Sequence, residues 1–188
     1  MSTRKNVTKK QVEEGKKRFG VYVGRFSPMH LGHEAQIKRL IEEFGEDHLV
    51  CIGSAGHVMT PRHMLKLSDR VKIMQLVFKK LRIAPLPDFG TDEEWLFALQ
   101  TLIRLAGGDP MHATFIGGCK QDVSFFETAG YHVVLYNRFD GVSSPPTSAT
   151  EVRDALDEGR SIDHLVNPLT AQFIREIYAI RKAEHKRM

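Results

Sequence analysis

Only two of the 188 residues are cysteines, and only one is tryptophan. Cys51 and Cys119 stand far apart, outside any CxxC pair or cysteine–histidine cluster. That excludes a disulfide framework and a finger-type zinc site, and makes a reduced, intracellular protein the expectation. No stretch approaches the roughly 18 continuous apolar residues of a membrane span. Residues 1–18, MSTRKNVTKKQVEEGKKR, carry positive charge but no apolar core, so they read as a polar arm rather than a secretory signal. A cytoplasmic protein with no membrane partner is therefore expected. Nucleotide-binding glycine loops of the two commonest kinds are missing as well, since neither GxxxxGK[ST] nor GxGxxG occurs. Nor is there a strong charge of one sign: 27 Lys and Arg against 23 Asp and Glu leave a net +4, which suits an anionic small molecule as well as a nucleic acid. The basic ends lack interleaved aromatics and match no nucleic-acid module, so no nucleic-acid partner is expected.

With 41% apolar and 27% charged residues, the chain suffices for one domain, taken as residues 19–188 with a helical extension from about residue 160. Five short apolar or β-branched runs read as strands: FGVYVG at 19–24, HLVCIGS at 48–54, LRIAPLP at 81–87, ATFIGG at 113–118 and YHVVLYN at 131–137. Helical periodicity fills the gaps. Ile37, Leu40, Ile41 and Phe44 share one face; Val71, Met74, Phe78 and Leu81 another; Trp95, Leu99 and Leu102 a third. CKQDVSFFETAG supplies a fourth helix that stops at Gly130. This alternation implies a parallel α/β sheet covered on both faces, because parallel strands need crossover connections. Beyond a loop, RFDGVSSPP, helices are expected at about 148–158 and 168–184, and the tail IRKAEHKRM reads as a solvated helix end.

In such sheets ligands bind beyond the carboxyl ends of the strands. The first strand ends in GRFSPMHLGH, where Gly24 lets the backbone turn and the following helix offers N–H groups to an anion. His30 and His33, three apart at the helix mouth, project to one side, and Gly32 between them leaves room for a ligand. A plain helix start explains a random pair of this kind equally well. Zinc needs further ligands, and His57 and His63 are the nearby ones, neither at a convincing distance, so no protein-bound metal is expected.

GRFSPMHLGH resembles the HxGH signature of the nucleotidyltransferase superfamily, and SATEVR its second signature, [ST]xTxxR, with Ser148, Thr150 and Arg153. Ser148 and Glu151 also fit a capping box, whereas a cation at Arg153 opposes the helix dipole unless an anion binds there. VGRFSPMHLGH and CIGSA further resemble the archaeal-type and related bacterial and phage nicotinamide mononucleotide (NMN) adenylyltransferases. The same spacing places that family's arginine at Arg62 and its acidic–arginine pair at Asp69 and Arg70. Ser27 stands where the family usually has glutamine, and Ala149 where archaeal members usually have glycine.

The resemblance implies a Rossmann-like, doubly wound five-stranded parallel sheet, order 3-2-1-4-5, with C-terminal helices. It also implies ATP and NMN as substrates, NAD as product, Mg2+ carried with ATP, and a homo-oligomer. His30, His33 and Arg153 would be catalytic. Gly24, Arg25, Phe26, Gly32, Gly53, Ser54, Arg62, Ser148 and Thr150 would join Arg153 in binding ATP. In PLPDFGTDEEW, Asp88 and Trp95 fall where the family forms its nicotinamide pocket, and an indole face suits a pyridinium ring. Trp95 equally suits a helix core beside Leu99 and Leu102. Related bacterial forms are sometimes fused to a Nudix hydrolase; none follows here, so a single activity is expected. Other phosphate acceptors (phosphopantetheine, flavin mononucleotide, glycerol phosphate) and a non-catalytic NAD or ATP sensor remain as rivals.

Overall fold

A computed structural model describes residues 18–56, 60, 63–136 and 146–187. Most of the N-terminal arm, His57 and Arg62 lie outside the described residues. Strands β1 (Phe19–Gly24), β2 (His48–Ile52), β3 (Ile83–Pro85), β4 (Ala113–Gly117) and β5 (His132–Leu135) pair in parallel in the order β3-β2-β1-β4-β5, as expected. The chain winds outward from β1 to β3, then returns to lay β4 on the other side of β1. That reversal puts a crevice at the carboxyl ends of β1 and β4, the place where open α/β sheets bind ligands.

Alternation along the central strands sorts side chains into two apolar layers. On β2, Val50 and Ile52 join one layer, whereas Leu49 and Cys51 join the other. The first layer is roofed by α1 (Leu31–Phe44), α2 (Leu67–Val77), α5 (Ala149–Asp157) and α6 (Pro168–His185), through Ile37, Leu40, Ile73, Met74, Val152 and Ile174. The second is roofed by α3 (Asp92–Leu105) and α4 (Lys120–Thr128), through Leu99, Ile103 and Phe126. Each such fully buried side chain contributes about 1.5–3 kcal/mol over its exposed state. Burial pushes the Cys51 thiol up to about 12, so it stays protonated and behaves as a small apolar residue.

Local chemistry sets the helix ends. Thr91 caps α3 by accepting the Glu94 N–H (3.2 Å), and Asp92, Glu93 and Glu94 complement the dipole in its first turn. Past α4 the chain turns at Gly130, whose φ of 83° suits glycine. Helix α2 ends earlier than the periodicity predicts: Phe78 is its C-cap, its N–H donating to Met74 O, and Leu81 lies beyond it. Both side chains still pack against the first layer, which is why they carry the helix pattern without belonging to the helix. The tail also departs from the solvated reading. Arg181 Nε and Nη2 reach both carboxylate oxygens of Asp69 on α2 (2.7 and 2.8 Å), so α6 is clamped to α2. Among the described residues no helix is long and apolar enough to cross a membrane.

At the opposite end of the sheet from the crevice, His48 is 5% exposed, with Nδ1 2.6 Å from Gly45 O. Burial holds its pKa below the usual 6.5. A histidine that folds neutral binds more protons unfolded, so its contribution is present above pH 6.5 and is lost as pH falls through the depressed value. The melting temperature should therefore drop on acidification below that point, and less so in His48→Asn. Equal acid sensitivity in the two proteins would refute this.

Candidate active site

β1 ends at Gly24, and the chain bends through Arg25 and Phe26 with Phe26 in the left-handed region (φ 51°). Ser54, beyond the end of β2, is also left-handed (φ 49°). Non-glycine residues held there cost about 1–3 kcal/mol and persist where the surroundings over-determine them. The Phe26 ring is 1% exposed, packed edge-on to Tyr22 at 5.4 Å and against His33 at 4.8 Å. What Phe26 offers a ligand is therefore its backbone.

Helix α1 is capped by the two histidines themselves. His30 is the N-cap and 2% exposed; its Nδ1 accepts the Gly32 N–H at 3.1 Å and lies 3.0 Å from Thr147 Oγ1. His33 Nδ1 accepts the His30 N–H at 3.4 Å. A neutral imidazole that accepts at Nδ1 carries its proton on Nε2, so both rings become hydrogen-bond donors on that side. The rings lie 3.8 Å apart. Gly32 is required sterically: a Cβ there would sit 2.9 Å from His30 Cε1 and 3.0 Å from its Nδ1. Thr147, which also accepts the Gly32 N–H at 3.0 Å, was not anticipated from sequence. Neither periodicity nor motif marks it, beyond its place directly before Ser148.

Facing α1 is the N-terminus of α5. Ser148 Oγ accepts the Glu151 N–H at 3.1 Å, which is one half of the expected capping box. Arg153 donates from Nη1 to Ser27 O (2.8 Å) and from Nη2 to Thr150 Oγ1 (2.9 Å). The two signatures, far apart in sequence, thus meet and are tied together. Between them lies a cavity of about 180 Å3, lined by Arg25, His30, His33, Ser148, Thr150 and Arg153. Cations, imidazoles and a helix N-terminus make it a place for negative charge.

A second cavity, of about 500 Å3, lies alongside, lined by Arg25, Asp88, Asp92, Trp95, Asp122 and Phe125. Trp95 meets Phe125 edge-on at 5.6 Å while packing against the second apolar layer, so it lines a cavity and belongs to the core at once. Phe125 is the aromatic that the sequence reading missed; its helical periodicity marks it no differently from its core neighbour Phe126. Asp88 Oδ1 accepts from Ser54 Oγ at 3.3 Å. Arg25, exposed at the end of β1, lines both cavities. Gly53 joins the two strand ends, its N–H donating to Gly24 O at 2.9 Å. Among the described residues no three His, Cys, Asp or Glu side chains cluster to hold a metal ion.

The family model described as cytidylyltransferase-like matches residues 21–155. The chain belongs to that family. Among its curated relatives, the nicotinamide-nucleotide adenylyltransferase of Thermococcus kodakarensis is 27% identical over 170 residues, covering 87% of this chain and 85% of that protein. The enzyme of the same name from Methanocorpusculum labreanum is 28% identical over 177 residues, covering 89% and 96%. A bifunctional NMN adenylyltransferase/ADP ribose pyrophosphatase from Francisella tularensis shares the cytidylyltransferase-like fold of this chain, with a TM-score of 0.70 at 18% identity. It is aligned over 90% of this chain, which spans only 54% of that longer protein. The nucleotidyltransferase expected from HxGH and SATEVR agrees with the family model and with both relatives.

Proposed function

We propose that the chain transfers the adenylyl group of ATP to NMN, giving NAD and pyrophosphate. The observation that carries this reading is the pair of cavities of opposite character that share Arg25: one cationic, one aromatic and acidic. A triphosphate suits the first. A pyridinium ring suits the second, where Trp95 and Phe125 supply π faces and Asp88, Asp92 and Asp122 supply negative charge. Arg25 then lies where the two phosphates meet.

The reaction is an in-line displacement. An oxygen of the NMN phosphate forms a bond to the α-phosphorus of ATP, and the bond from that phosphorus to the bridging oxygen of the β-phosphate breaks, releasing pyrophosphate. The nucleophile is already an anion, so no general base is needed, and catalysis consists of positioning and charge stabilisation. His30 and His33 donate hydrogen bonds from Nε2–H to the α-phosphate oxygens. Arg25 and Arg62 hold the triphosphate, while Arg153, Thr150 and the N–H groups following Ser148 receive the β- and γ-phosphates. The Gly24–Phe26 and Gly53–Ser54 turns bring the backbone toward the nucleotide, whereas Gly32 serves it indirectly, by leaving space for the His30 ring. Among the described residues the lining of this cavity offers no carboxylate, so Mg2+ would be held by phosphate oxygens and water, where it would neutralise the leaving pyrophosphate.

Incubation with ATP, NMN and Mg2+ tests the proposal: NAD and pyrophosphate should form in equal amounts. Faster use of phosphopantetheine, flavin mononucleotide or glycerol phosphate would replace the acceptor, and nucleotide binding without any transfer would favour a sensor. Trp95→Ala should raise KM for NMN about 2- to 30-fold with kcat little changed, as loss of a cation–π face worth about 0.5–2 kcal/mol requires. An unchanged KM would remove Trp95 from the pocket.

A further inference from the structure

Arg70, in the first turn of α2, is 2% exposed and binds no carboxylate in the hydrogen bonds described. Its Nη1 donates to Arg25 O (3.0 Å) and Gly53 O (2.8 Å), and its Nη2 to Ser54 O (3.0 Å). These carbonyls belong to the two turns that hold Phe26 and Ser54 in the left-handed region. Buried carbonyls require donors, and one planar guanidinium supplies both turns at once. The neighbouring Asp69 is already occupied: Arg181 takes both of its oxygens, and Oδ2 accepts the Lys66 N–H at 2.9 Å. The hydrogen bonds of Arg70 thus go to the backbone, while Asp69 and Asp88 lie near enough to act on its charge.

One turn carries Arg25, at the junction of the two cavities. The other carries Ser54, whose hydroxyl bonds Asp88 in the aromatic cavity. We propose that Arg70 is a positioning residue for adenylyl transfer: its guanidinium sets the two turns relative to each other, and so sets the ATP cavity relative to the nicotinamide cavity, without touching either substrate. The inference rests on the proposed function for its kinetic consequence, though not for its structural one.

Full-length Arg70→Met and Arg70→Lys variants test it, through kcat and KM per folded molecule and through amide hydrogen exchange. In the methionine variant, exchange at residues 25–27 and 53–55 should accelerate while α1 and α6 keep their protection. Its kcat should fall about 10- to 100-fold, the effect of a small misplacement of reacting groups, with each KM changing less. Lysine, which keeps the charge but not the fork, should recover part of both losses and carries the test should the methionine protein fail to fold. Unchanged kcat per folded molecule would overturn the proposal. So would faster exchange spread evenly over the whole fold, the mark of lost global stability alone. Should the parent protein make no NAD, the functional reading fails, and the exchange experiment still decides the clamp: acceleration confined to the two turns supports it, and none refutes it.

Discussion

Replacing His33 by alanine should lower kcat by a factor of about 10² to 10³, in the range of losing one oxyanion-type donor. The side chain is fixed from behind: Nδ1 accepts the His30 N–H, and the ring rests on Phe26, so Nε2–H is committed to the cavity side. In the proposed reaction a donor held in this way would stabilise charge as it develops on the α-phosphate and lose nothing to reorientation. Alanine removes it together with half of a helix cap, which costs about 1 kcal/mol of stability. Turnover should therefore collapse while the thermal midpoint shifts only slightly. Steady-state rates and melting curves on the same preparation separate the two effects, and near-normal turnover would end the role assigned to His33.

Asp69→Ala should destabilise the fold by about 3 kcal/mol, the lower end of what removing one partner of a buried pair costs. The carboxylate is 6% exposed and Arg181 13%. Alanine strands the guanidinium beside Glu184 alone and removes the acceptor of the Lys66 N–H at the start of α2. Combining Asp69→Ala with Arg181→Met should be less damaging than the aspartate change by itself, because no guanidinium is then left without its carboxylate, and Glu184 keeps Lys66. Urea denaturation of the two single variants and the double variant measures the coupling. Purely additive losses would mean that the pair is not a unit.

The sheet was legible because buried parallel strands are short apolar runs and the helices between them carry a period near 3.6. Helix ends were less so: Phe78 and Leu81 keep the apolar spacing because they continue to pack on the core after α2 has stopped. At the candidate site, His30, Gly32, His33 and Arg153 stood out through paired signatures. Thr147, Phe125 and the clamp by Arg70 did not, since each depends on which side chain lies opposite in space. The basic tail misled for the same reason. Spacing along α6 cannot reveal that Arg181 faces a buried carboxylate over a hundred residues earlier.

The contact between Arg153 and Ser27 O spans 126 residues, and that between Thr147 and His30 spans 117. Neither contact can form until the segment carrying Thr147 and Arg153 has been made and has closed onto the start of the chain. A chain that ends after β5 lacks the partners that orient the first histidine and tie down the turn, and lacks part of the roof of the first apolar layer as well. Catalytic competence should accordingly appear only once α5 has docked, and fragments ending before Thr147 should show no activity.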